Sequence, residues 1–175
     1  MSTMLAPWAT LITGVIALLI AISSSKQFRT TEKMRGEIVA RAIHGSVWEV
    51  GNALRQAIVW IEKMNDFRPA QDVDAMNQAI EYLKVLRVIK IDVTQDQLLL
   101  LAPFHNDATM ALADAVPILE EINRQSKAVL SMLGAKTINE KQHLRHGVWI
   151  LHMRLTKTDA LLETALDGIF NEIPH

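Results

Sequence analysis

The first 25 residues, Met1 to Ser25, carry no charged side chain, and from Leu5 to Ile22 the chain is almost continuously apolar. Eighteen residues at 1.5 Å rise make a helix of roughly 27 Å, close to the thickness of a bilayer's hydrocarbon core. Pro7 stands where a first helical turn tolerates proline, Trp8 where an interfacial aromatic belongs, and Ser23-Ser24-Ser25 leads directly into Lys26. This stretch is expected to be a transmembrane signal-anchor helix over residues 1–25. A cleavable signal peptide would need a basic leader, but no Lys or Arg precedes the apolar run, and Ala21-Ile22-Ser23 is a poor cleavage site.

The flanks set the orientation. Lys26, Arg29, Lys33, Arg35 and Arg41 follow the run, against Glu32 and Glu37. By the positive-inside rule the N-terminus lies outside and the remaining 150 residues are cytosolic, placing the protein in a cell's inner (plasma) membrane as a single-pass chain. The basic stretch 26–45 carries a net +3, suited to anionic membrane lipid, while the later residues carry 13 basic and 17 acidic groups. Inside the span Ala9, Thr13, Ala17 and Ala21 recur every four residues, a spacing that lets two helices approach closely.

The 175 residues have a net charge of −1 and a mean hydropathy of +0.15. That surplus hydropathy comes mainly from the first 22 residues. A near-neutral charge removes the global footprint of a nucleic-acid binder. The absence of cysteine excludes disulfides, zinc-thiolate sites, iron–sulfur clusters and thiol nucleophiles. A second apolar run, Leu98 to Phe104, reaches membrane length only by taking in Asp107 and Asp114, at a cost of about 5–7 kcal/mol on insertion scales. It is therefore not read as a span.

Beyond residue 25 the pattern is helical throughout. Val39, Ile43, Val47, Val50, Leu54, Ile58 and Ile61 recur at spacings of three and four, with no proline between Pro7 and Pro69, so this helix is compatible with continuation from the span. Arg68-Pro69 marks a boundary before a helix with Val73, Met76, Ile80 and Leu83, and Ile89 to Val93 alternates as a short extended piece would. Thr94 to Gln97 and Thr137 to Glu140 both have capping-box spacing. Asn106 or Asp107 is expected to cap a long helix along Leu112, Val116, Leu119, Ile122, Ser126, Val129 and Leu133, kinked at Pro117 and ended at Gly134. A last helix carries Leu144, Val148, Leu151, Leu155, Leu162, Leu166 and Ile169. The expected fold is all-α: the membrane helix, a basic juxtamembrane helix over 26–45, and a cytosolic up-down bundle of about four helices over 46–175.

Sites of chemistry are sparse. Glu140, His143 and His146 have the Glu-x-x-His spacing of dimetal carboxylate bundles, but no second such pair exists, and on a helix they fan out to about 40°, 100° and 160° from the apolar stripe. Gly134-Ala135-Lys136-Thr137 lacks the upstream glycine and the Gly-Lys step of a phosphate loop. No catalytic, cofactor or metal site is assigned.

Aromatic placement is more informative. Trp149 lies about 140° from the last stripe together with Ile150 and Met153, so Gly147 to Met153 is apolar nearly all round, and Trp48 is similarly displaced on the first helix. Trp48, Trp149, Ile150 and Met153 are candidate interface residues, for a second copy of the chain or another protein. The function expected is a non-catalytic, oligomeric interaction or scaffold module on the membrane. One alternative is a tethered sensor holding a small ligand near Trp48 and His44, and a less favoured one is a dimetal enzyme.

Overall fold

The computed structural model describes residues 6–65, 73–133 and 137–170, and the side chains of these except 6–15, 63–65, 73–76 and 170. The described residues contain five helices: α1 (Ala6–Asn65), α2 (Val73–Leu86), α3 (Gln95–Leu101), α4 (Asn106–Met132) and α5 (Ile138–Phe170). No strand is present among them, and Ile89 to Val93 is an irregular connection. Its alternation is nonetheless real: Ile89 and Ile91 are buried against the core while Lys90 and Asp92 face solvent and pair with each other.

The four longer helices form a ring in which α1 packs on α2 and α5, and α4 packs on the same two. The short α3 bridges α1 and α4. Helix α1 runs unbroken from Ala6 to Asn65, so the apolar N-terminal run and the first bundle helix are one rod, about 90 Å long at 1.5 Å per residue. Among the described residues no helix is long and apolar enough to cross a membrane. The run expected to do so, Leu5 to Ile22, lies mostly outside the described side chains.

With Gly51, Thr109, Ala111 and Gly147 buried beside them, the seam residues of three helices follow a heptad. On α1 they are Gly36, Ala40, Ile43, Val47, Val50, Leu54, Ala57 and Ile61; on α4 Ala108, Leu112, Ala115, Leu119, Ile122, Ser126 and Val129; on α5 Val148, Leu151, Leu155, Thr158, Leu162, Ala165 and Ile169. Steps alternate between four and three, a 3.5-residue period that winds helices into a left-handed bundle. Val39, Ile58, Val116 and Leu166, expected in the stripes, are only half-buried, because alanines occupy the seam beside them. The core reaches down to Ala40, so the packed part of α1 begins inside the basic stretch 26–45.

Small residues mark where helices press closest. A Cβ on Gly168 would meet Ala108 Cβ at 3.1 Å and Ala108 N at 3.2 Å, and one on Gly36 would meet the Leu100 carbonyl oxygen at 3.0 Å. Both capping boxes form. Thr94 Oγ1 accepts from Gln97 N at 3.2 Å while Gln97 Oε1 accepts from Thr94 N at 2.8 Å, and Thr137 with Glu140 repeats the arrangement at 3.2 and 3.0 Å.

The expected cap of α4 is corrected. Asn106 and Asp107 lie within the helix, and the N-cap is His105, which makes no side-chain cap bond. Its imidazole is drawn away, with Nδ1 3.1 Å from the Gly168 carbonyl oxygen, tying the start of α4 to the end of α5. Its own carbonyl accepts from both the Thr109 amide and hydroxyl, at 2.9 and 2.8 Å. Pro117 lies exposed within α4, which is a single helix from Asn106 to Met132. The expected C-terminal residue Gly134 and the boundary at Arg68-Pro69 lie outside the described residues.

Candidate functional site

Two cross-helix pairs fix how α1 and α5 align. Arg55 Nη1 lies 3.5 Å from Asp159 Oδ1, and His152 Nε2 lies 3.2 Å from Glu62 Oε1. Both give the same antiparallel register, and both sit one residue past a seam position, so they are rungs repeating every seven residues along one flank. The next rung of that series sets Trp48 opposite Leu166. Trp48 is thus a flank residue of the α1–α5 seam, with 52% of its surface still exposed.

In the same register residue 149 stands level with residue 65. Trp48 and Trp149 are therefore separated by about 25 Å along the bundle axis, at 1.5 Å per residue. The two tryptophans expected at an interface belong to separate surfaces. Trp149 and Met153 lie on the outer face of α5, each 53% exposed, with Ile150 half-buried beside them. The His146 ring stacks on Trp149, centroids 6.0 Å apart and planes inclined by 22°. Gly147, Val148 and Leu151 on the inner face are buried, so this turn of α5 is apolar inward and outward, and the outward half has no covering helix within the described chain.

The flank charges are weak fasteners. Burial pushes the Asp159 carboxyl above its ordinary value, the Arg55 charge pulls it down, and Glu163 adds to the rise. A raised folded-state value means that the group's contribution to stability is present below the ordinary carboxyl range and is lost as pH rises through the folded value. Glu121 behaves oppositely. Its hydrogen bond from Arg124 lowers it, burial opposes, and the charges of Arg124 and Arg154 lower it further. Arg154 Nη1 lies 3.1 Å from Glu121 Oε2 and joins α5 to α4. That contribution is present above the ordinary range and is lost as pH falls through the folded value.

The other residues singled out from sequence are dispersed. Glu140, His143 and His146 are all exposed, and the Glu140 carboxylate accepts the Thr137 amide, which engages it in the helix cap. No group of three His, Asp or Glu side chains placed to hold a metal occurs among the described residues. Ala17 and Ala21 are exposed, whereas the side chains of Ala9 and Thr13 lie outside the description. Lys26, Arg29, Lys33, Arg35 and Arg41 are all exposed. His44 is half-buried beside the seam.

A cleft that sequence inspection did not reveal lies where α2 ends. Arg87, Asn123, Arg124 and Lys127 line it, and it measures about 470 Å³. Its residues come from the turn after α2 and from α4, 36 positions apart in sequence, with no local pattern to connect them. The chain matches no known family model, no curated protein and no solved structure.

Proposed function

We propose that the protein is a single-pass, membrane-anchored helical bundle whose cytosolic domain is a non-catalytic interaction or scaffold module that pairs with a second copy of itself. The observation that carries this reading is the continuity of α1 with uncovered apolar side chains at its N-terminal end. Ile16, Leu18, Leu19, Ile20 and Ile22, each 46–61% exposed, cover about 200° of the helix circumference at 100° per residue, and the exposed Ala17 and Ala21 lie in the remaining arc. A helix apolar all round needs a covering on every side, and lipid supplies one. The basic residues from Lys26 onward then lie at headgroup level on the cytosolic side, with the N-terminus outside.

The pairing part of the reading rests on Trp149, Ile150 and Met153. A large aromatic with a polarizable neighbour on a rigid outer helix face is the kind of anchor that dominates protein interfaces. Replacing Trp149 by Glu is expected to halve the protein mass measured by light scattering in detergent while leaving the helical circular dichroism unchanged. A wild-type chain already of monomer mass, or a variant of unchanged mass, refutes pairing through this face.

A further inference from the structure

Helix α2 ends at Leu86, and the turn at Arg87 that follows it lies against α4, where Arg87 lines a cleft with Asn123, Arg124 and Lys127. Three cations and an amide thus line it, with no carboxylate in its wall. Asn123 fixes one side by donating from Nδ2 to the Ile89 carbonyl oxygen at 3.1 Å. Arg124 is shared with Glu121, but Arg87 and Lys127 form no ion pair among the described residues. Residues beyond 45 carry four more acids than bases. Arg87 and Lys127, the two cations without such a pair, stand beside Arg124, whose charge Glu121 already offsets in part, and a multivalent anion relieves the repulsion that remains.

We infer that this cleft binds the phosphate group of a soluble small molecule. Arg87 supplies a planar fork suited to two phosphate oxygens, Lys127 a point charge, and Arg124, whose Nη2 is held by Glu121, only its remaining N–H groups. The cleft is open to solvent, so a phosphate carried on a larger small molecule reaches its cations. Two sources of phosphate differ in reach. In the register of the bundle Arg124 stands level with residue 63 of α1, about 60 Å along the helix from Ile22 at 1.5 Å per residue. For a chain anchored as proposed above, headgroups of its own membrane are out of reach, and the ligand comes from solution.

The test is calorimetric titration of inorganic pyrophosphate into the full chain, held in nanodiscs of zwitterionic lipid, with Arg87→Ala, Lys127→Ala and the remote Lys141→Ala in parallel. The expected result is one site per chain, weakened about tenfold by Arg87→Ala and by Lys127→Ala, unchanged by Lys141→Ala, and weaker at higher salt because the groups are exposed. A second arm repeats the titration in nanodiscs of anionic phospholipid, where affinity is expected to hold. Absence of pyrophosphate binding to the wild-type chain, or equal binding by all variants with matching circular dichroism, overturns the inference. Binding abolished by anionic lipid assigns the cleft to headgroups and overturns the soluble source.

Discussion

Replacing Leu54 or Leu155 by alanine is expected to cost about 2–5 kcal/mol of stability each, the range for deleting a fully buried leucine from a packed core. Both side chains have 0% exposure and lie on the facing seams of α1 and α5. The loss has two parts. Apolar area returns to water in the unfolded state without the matching gain on folding, and the cavity left behind is lined by heptad neighbours that cannot collapse without breaking the 3.5-residue spacing. Leu99, 63% exposed on α3, supplies the contrast. Its alanine variant is expected to stay within about 0.5 kcal/mol of wild type. Urea denaturation of the full chain in mild detergent, followed by circular dichroism, measures all three. A loss at Leu54 no larger than at Leu99 contradicts the packing of α1 into the bundle.

Gly168→Val is expected to destabilise by about 1–3 kcal/mol, the opposite kind of core error. Here the neighbour is backbone: the new Cβ would stand 3.2 Å from Ala108 N. The first turn of α4 must shift, and with it the His105 ring whose Nδ1 lies 3.1 Å from the Gly168 carbonyl. Two helix ends then loosen together. Gly45 provides an internal control, since a Cβ there meets nothing within 4 Å. Gly45→Ala is expected to be neutral or to stabilise by up to about 1 kcal/mol, the helix-propensity difference alone. Thermal melts of the two variants should move apart. A Gly168→Val melt matching that of wild type contradicts the close α4–α5 approach.

Local chemistry was the legible part of this fold. The capping boxes at Thr94 and Thr137 are short-range hydrogen-bond patterns written in four consecutive residues, and both form. Large aliphatic residues also announced their stripes: Ile43, Val47, Val50 and Leu54 on α1 and Leu151, Leu155 and Leu162 on α5 are buried where periodicity put them. Alanine and glycine hid the rest. Ala40, Ala57, Ala108, Ala115 and Ala165 complete the heptads, yet a methyl group contributes too little hydrophobicity to reveal whether it faces a neighbouring helix or solvent. Their value is steric, allowing close approach, and depends on the partner.

The candidate sites divide in the same way. Trp149 and Met153 stand out on a single helix, so helical periodicity found their outward face. Trp48 stands out by the same angle and is as exposed as Trp149, and the rungs at Arg55–Asp159 and Glu62–His152, which join residues 104 and 90 positions apart, place it beside the α1–α5 seam. His105 was passed over in favour of Asn106 and Asp107 because their cap chemistry is local, whereas its partner, the Gly168 carbonyl, is 63 residues away. The cleft of Arg87, Arg124 and Lys127 joins the turn after α2 to α4, residues too far apart in sequence for any local pattern to connect them.

Anchoring by the N-terminal end of α1 is the claim on which the cytosolic domain, the headgroup level of Lys26 to Arg35 and the reach of the distant cleft all depend. Alkaline carbonate extraction of membranes from cells expressing the full chain tests it most directly, because carbonate strips proteins held by charge or by partner contacts and leaves those whose helix lies in the hydrocarbon core. The chain is predicted to remain in the membrane pellet, and Leu19→Arg, which puts an unpaired cation in the apolar run at a cost of about 2.5–3.5 kcal/mol, is predicted to move part of it to the supernatant. Complete release of the wild-type chain into the carbonate supernatant would contradict the account.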